Sequence, residues 1–195
     1  MKLKAAPPSR VVVELEPKDT GFPPVALPEF RIKRILVPVD FSEPSRKALH
    51  YAVYFAKQFN AEILLLHVVE PSPPPPDYLA VNSSSLENSL REEAAGRLSR
   101  WRGEIASQTP VRTSVRSGNA CLEIIRTADE NNIDLIIMGT HGRMGLAHLF
   151  LGSTAERVVR QGPCPAMVVR ERQHDFLDES AGAGAGLHAK VSSTK

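Results

Sequence analysis

Three short runs constrain the fold of this chain more than anything else in it: ILVPV at 35–39, ILLLHVV at 63–69 and LIIM at 135–138. Each is nearly all apolar, which marks strands covered on both faces. Such strands belong to parallel sheets, whose crossover helices pack on the two sides. VRTSV at 111–115 and AMVV at 166–169 are weaker strand candidates that bring the set to five. Helical periods lie between them. Ala48, Leu49, Ala52, Val53, Ala56 and Phe59 form one apolar stripe, and Leu90, Ala94, Leu98, Trp101 and Ile105 a second. Ile124, Ile125 and Ala128 make a third, and Ala155, Val158 and Val159 a fourth. Regular strand–helix alternation predicts an α/β fold: an open five-stranded parallel sheet, strand order 3-2-1-4-5, helices on both faces, Rossmann-like.

The helix starts carry matching chemistry. Ser42 is placed to cap the first helix and Asn119 the third, while Ser153-Thr154-Ala155-Glu156 reads as a capping box for the fourth. Proline sets the limits of the domain, because it removes a backbone donor and fixes φ. Six of the 16 prolines lie in residues 1–30 and five more in PSPPPP at 71–76. The expected organisation is therefore a proline-rich extension at 1–30, one α/β domain at 31–170 with a proline-rich linker at 70–85, and a flexible tail at 171–195 containing AGAGAG. Within the extension, VVVEL at 11–15 reads as a short added strand or an arm.

A net charge of +2 gives no basis for binding nucleic acid or an anionic membrane, both of which need a concentrated basic surface. Cys121 and Cys164 form no CxxC, and no Cys/His set has zinc spacing. The start has no apolar segment typical of a signal peptide, and no apolar run is long enough to span a bilayer. These features predict a soluble, cytoplasmic protein with reduced thiols.

In an open parallel sheet, ligands bind beyond the carboxyl ends of the strands where strand order reverses. Here that point lies between the first and fourth strands. The first ends in Pro38-Val39-Asp40, and the fourth runs into Gly139-Thr140-His141-Gly142, followed nine residues on by Gly152-Ser153 and a helix. Glycines let a ligand approach backbone amides, and a helix start favours an anion. A carboxylate on the opposite wall suits ribose hydroxyls, and His67-Val68 at the end of the second strand would flank a base. The constellation reads as a mononucleotide site. The plainer alternative is that the glycines are turn residues and Ser153 with Glu156 only a cap. No GxxxxGK[ST], GxGxxG, kinase motif set or GxSxG elbow is present, and no catalytic residues are visible.

The segments RILVPVDFSEPSRKALHYAVYFAK, AEILLLHVVEP and DLIIMGTHGRMGLAHLFLGSTAERVVRQGPCPAMVVR resemble the universal stress protein family, ATP-binding branch, over about residues 31–170. That branch carries Gly-x2-Gly-x9-Gly-[Ser/Thr], matched by Gly139, Gly142, Gly152 and Ser153. The resemblance implies a phosphate loop of Gly139, His141, Gly142 and Arg143, with Gly152, Ser153 and Thr154 at the helix start. It implies ribose held at Asp40 beside Pro38 and Val39, and the base beside His67, Val68 and Met138. It further implies ATP with Mg or Mn, no protein metal ligands, and a homodimer through the strand at 166–170. Arg143 has the charge for a phosphate, whereas His67 is expected to act structurally through its side chain. His50 and His148 read as surface, Cys164 as packing, and the 71–76 run as a spacer. The function expected is an ATP-dependent sensor or signalling module in stress physiology. The alternatives are a slow ATPase or autophosphorylating enzyme, and a nucleotide-independent interaction protein; the protein partner is unknown.

Overall fold

The computed structural model describes residues 2–4, 12–14, 31–70, 83–140 and 152–170. The chain divides into two units, Met1–Arg31 and Ile32–Lys195. The first holds an antiparallel pair, β1 (Lys2–Lys4) and β2 (Val12–Glu14), with Leu3 opposite Val13. β2 falls on the expected 11–15 run. Its partner, Lys-Leu-Lys, is too short and too charged to signal a strand by itself.

The second unit runs β3 (Arg34–Pro38), α1 (Glu43–Phe59), β4 (Glu62–Val69), α2 (Ser83–Ile105), β5 (Val111–Ser117), α3 (Ala120–Glu130), β6 (Leu135–Gly139), α4 (Ser153–Gln161) and β7 (Ala166–Val169). The order β5-β4-β3-β6-β7, with every neighbouring pair parallel, is the predicted 3-2-1-4-5 sheet. α2 opens at Ser83, so the end of the 70–85 stretch is helix rather than linker. Strand alternation sorts the core into two layers. Ile35, Val37, Ile63, Leu65 and Ile137 pack with Leu49, Ala52, Leu98 and Trp101 of α1 and α2. Leu36, Leu64, Leu66, Ile136 and Met138 pack with Ile124, Ala128, Ala155 and Val158 of α3 and α4. Crossovers of one hand that run first one way and then the other along the sheet put the helices on opposite faces in this manner.

The caps on α1 and α3 form as expected: Ser42 Oγ accepts from the Ser45 N–H at 3.4 Å and Asn119 Oδ1 from the Leu122 N–H at 3.2 Å. Two stripe residues do not belong to the core. Leu90 is 41% exposed, because α2, at 23 residues, outruns the eight-residue strand it packs on. At the usual rises that is about 34 Å of helix against about 26 Å of strand. Val159 is 49% exposed, since the short α4 turns only Ala155 and Val158 inward.

The amino end of the sheet is tied down by side chains. Asp134 Oδ2 accepts from the N–H groups of Lys33 at 2.8 Å and Arg34 at 2.9 Å, locking the start of β6 to that of β3. Thr109 Oγ donates to Ala61 O at 2.9 Å and fixes the turn into β5 beside the start of β4. The carboxyl ends of β3 and β6 lead instead into the segments that build the site.

Candidate functional site

The chain leaves β3 at Val39, whose N–H donates to Leu66 O at 2.8 Å. Asp40 follows, half-buried, and then Phe41 at φ 65°. Asp40 Oδ1 accepts from the Ser42 N–H at 3.1 Å and from Ser42 Oγ at 2.5 Å. This is an Asx turn, the local habit of aspartate two residues ahead of a backbone donor. The other oxygen, Oδ2, is buried and has no hydrogen-bond partner. A buried acceptor left unpaired costs about 1–3 kcal/mol, and more when charged. Asp40 is thus held firmly by one oxygen, while the second is buried without a partner among the described residues.

His67 stands beside this turn. Its Nδ1 lies 2.7 Å from Val39 O, and because a carbonyl oxygen only accepts, Nδ1 carries the proton. The imidazole also lies 4.6 Å, centroid to centroid, from the Phe41 ring. Its side chain thus ties the end of β3 to the Phe41 turn. β4 continues past His67 and Val68 to Val69, so these two residues lie inside the strand rather than at its end. Val68 is half-buried and turns to the opposite face, where Met138 also packs.

β6 ends at Gly139 against the first turn of α1. A Cβ on Gly139 would lie 2.9 Å from Pro44 Cβ, 3.0 Å from Pro44 C and 3.1 Å from Pro44 O. This glycine is required by close approach of two backbones, a reason independent of any ligand. It also joins the two halves of the site: Asp40 bonds Ser42, and Pro44, two residues on, seats against Gly139. Thr140 N–H donates to Val169 O at 2.9 Å, and Gly152 N–H donates to Thr140 O at 2.9 Å. The latter bond ties the start of α4 to the residue that follows β6. His141, Gly142 and Arg143, expected in the phosphate loop, lie outside the described residues, as does His148.

The capping box expected at Ser153 does not form. Gly152 is the cap residue, with φ −57° and ψ 146°, and no side chain caps the helix. The reason is the bond just past β6: with the Gly152 N–H spent on Thr140 O, its carbonyl accepts the Glu156 N–H at 2.9 Å and the helix starts one position earlier than a box requires. Ser153 becomes the first helical residue, exposed, with Thr154 half-buried behind it. An uncapped start keeps its positive dipole end and unpaired N–H groups for an acceptor. α3 differs: Asn119 caps it, and Glu70 Oε1 accepts from the Ala120 N–H at 2.9 Å.

Sequence reasoning missed Phe41, Ser42 as partner of Asp40, and Pro44. The D-x-S spacing was a usable signal for the Asx turn, whereas the left-handed Phe41 has none. Phe41 is held from outside by α2: the Arg97 guanidinium lies 4.0 Å from its ring centroid and Trp101 meets it edge-on at 5.4 Å. Among the described residues no three His, Cys, Asp or Glu side chains come together as a metal site. Cys164 packs partly against the α3–α4 layer, and burial, with a lesser push from Asp134, raises its thiol above the ordinary range.

A five-stranded parallel sheet of order 3-2-1-4-5 with helices on both faces defines a small α/β domain of Rossmann-like type. The universal stress protein family profile matches residues 31–170, and the chain belongs to that family. It is 34% identical over 145 residues to a universal stress protein of Methanocaldococcus jannaschii, covering 71% of this chain and 82% of the relative. It is 33% identical over 141 residues to one from Thermus aquaticus, covering 71% and 98%. The solved UspA from Lactobacillus plantarum superposes with a TM-score of 0.66 at 28% identity, over 73% of this chain and all of that one. Two further structures share the fold at lower identity: a universal stress protein in complex with cAMP (22%, TM-score 0.52) and an Arabidopsis thaliana family member with AMP bound (15%, TM-score 0.53). No helix among the described residues is long and apolar enough to cross a membrane.

Proposed function

We propose that this universal stress protein binds ATP in the crevice between the ends of β3 and β6 and acts as a nucleotide-dependent sensor or signalling module. The observation that carries the reading is Asp40: one carboxylate oxygen is pinned by Ser42, and the other is buried and unpartnered at the strand-order switch point. A ribose hydroxyl is the donor it lacks. The base lies beside Pro38, Val39, Val68 and Met138, with His67 holding the Val39 carbonyl in place. The phosphates reach the start of α4 at Gly152, Ser153 and Thr154, with Gly139, His141, Gly142 and Arg143 completing the loop. The uncapped helix start supports that assignment, because the structural explanation for Ser153 has been removed. Mg or Mn, held by phosphate oxygens and water, would neutralise charge on the phosphates. That the fold carries AMP and cAMP in other proteins is consistent with a mononucleotide here.

The signalling step is binding-linked. The nucleotide joins the first turn of α1, the end of β6 and the start of α4, and so changes the surface formed by residues 139–153. β7 is an edge strand with Ala166, Met167 and Val168 half-buried, which suits pairing with a second copy. The test is mass analysis of small molecules released from protein purified without nucleotide, followed by calorimetric titration with MgATP, AMP and cAMP. Retained ATP, or MgATP binding preferred over the other two, supports the reading. Protein that is empty and silent to all three overturns it and leaves a nucleotide-independent interaction module.

A further inference from the structure

On the outer surface of α1 and α2, away from the α3–α4 side of the sheet, an open groove of about 240 Å³ is lined by Arg46, Arg97, Arg100, Trp101 and Glu104. Three guanidiniums share it with a single carboxylate. Arg46 is committed twice, to Glu104 at 2.8 Å and to the Trp101 face at 4.5 Å from the ring centroid. Arg97 lies on the Phe41 ring, an interaction that uses the face of its guanidinium and leaves the N–H edge unspent. Arg100 is exposed and has no ion-pair partner among the described residues. Arg97 and Arg100 are also i,i+3 neighbours on one helix, a like-charge placement that disfavours the helix by a few tenths of a kcal/mol. The groove therefore gathers three guanidiniums around one carboxylate, Glu104, which is already bonded to Arg46.

We propose that this groove is a binding site for a compact phosphate-bearing anion, held by the guanidinium edges of Arg97 and Arg100 with Arg46 and Glu104 closing one wall. The chemistry selects that class on three grounds. Planar guanidiniums match phosphate oxygens in a bidentate fork, which an ammonium cannot do. The volume is below the roughly 300–1,000 Å³ typical of drug-sized ligand sites, so the occupant is small. Among the described residues the one aromatic ring lining the groove, Trp101, is buried and covered by Arg46, which leaves no open face there for stacking a base. That leaves no aromatic surface for a second nucleoside, and the groove adjoins the Asp40 turn only through Phe41, on whose ring Arg97 lies. Binding here requires no nucleotide in the crevice at Asp40.

Trp101 is the only tryptophan in the chain, so its emission reports the groove directly. The experiment titrates the full-length protein with sodium pyrophosphate at constant ionic strength, following Trp101 fluorescence. A saturable change is expected, with Kd raised about tenfold or more in Arg97→Gln/Arg100→Gln, the loss of two charge-assisted contacts. Arg100→Gln alone touches only an exposed side chain, so it keeps the fold and is expected to show a smaller loss in the same direction. No saturable change in the parent protein overturns the proposal. So does a response that the double and single variants reproduce unchanged, or one that sodium chloride produces equally.

Discussion

Replacing Asp40 by asparagine separates the stability of the site from its use. In the free protein the carbonyl oxygen of an asparagine side chain at this position can keep the contacts Asp40 Oδ1 makes to Ser42, at 3.1 Å to N and 2.5 Å to Oγ. Losing the charge weakens those two bonds, each by a fraction of the about 1.5–3 kcal/mol that a hydrogen bond to a charged group contributes. Against that, the buried and unpartnered Oδ2 ceases to be part of a desolvated carboxylate, which recovers a similar amount. The two effects nearly cancel, and Asp40→Asn should lie within about 1 kcal/mol of the parent in urea unfolding. Binding loses the charged acceptor, and the amide that replaces it can meet a ribose hydroxyl only as a neutral donor. A ribose hydroxyl donating to the charged oxygen contributes about 1.5–3 kcal/mol, so MgATP affinity should fall about 10- to 150-fold by calorimetry. The cycle closes with 2′,3′-dideoxy ATP, which lacks both hydroxyls: the substitution should cost that ligand almost nothing. A folded Asp40→Asn protein that binds MgATP as tightly as the parent refutes the assignment. Equal losses for ATP and the dideoxy analogue would show that Asp40 acts on something other than ribose.

Gly139→Ala places a Cβ about 3 Å from three atoms of Pro44, two of them backbone, and overpacking of that kind costs about 1–3 kcal/mol; thermal unfolding should shift down by about 2–4 °C per kcal/mol. Pro44→Ala should not rescue it, since alanine keeps the Cβ; full recovery would show that the contact is not backbone-limited. Burial raises the Cys164 pKa, so its neutral thiol favours the fold below the ordinary thiol pKa and that contribution fades as pH rises through the raised native value. Alkylation of Cys164 in the native protein at pH 8 should accordingly be slower than in the urea-unfolded chain, and equal rates would remove the burial argument. On β7, Ile136 N–H donates to Pro165 O and Thr140 N–H to Val169 O, so the backbone groups of Ala166 and Val168 face away from β6. Val168→Pro should leave the sheet intact and give monomers by sedimentation. A dimer that survives the change is built elsewhere.

The sheet was legible because its strands are buried on both faces: an uninterrupted apolar run such as 63–69 has few other uses in a chain with helical periods on either side. Caps that depend on local chemistry were legible too, as Ser42 and Asn119 show. What failed did so where tertiary geometry overrides a local pattern. Ser153-x-x-Glu156 is a sound capping box in isolation, yet the bond from Gly152 N to Thr140 O, just past β6, moves the helix start by one residue. Leu90 lost its place in the core to a mismatch of lengths between α2 and β4, which periodicity does not measure. The candidate site could be read only as a constellation of residue types, Asp40 after the first strand of the sheet and Gly139 and Ser153 about the fourth. Its wiring was not legible, because Phe41 in a left-handed conformation and its hold by His67, Trp101 and Arg97 are contacts between elements far apart in the chain.

The glycine spacing itself divides once the geometry is known. Gly139 is demanded by the fold, since the strand-order reversal that creates the crevice also drives the first turn of α1 onto the end of β6. The contact with Pro44 asks for a residue without a Cβ there, whether or not a nucleotide binds. Ser153 is different. With its capping role removed, nothing in the packing asks for a hydroxyl at an exposed first helical position. Asp40 stands further still toward function, because leaving one carboxylate oxygen buried and unpaired works against stability. The motif is therefore not uniform evidence for ligand binding. Its first glycine reports the topology, and the weight of the nucleotide reading rests on the two positions the fold alone does not explain.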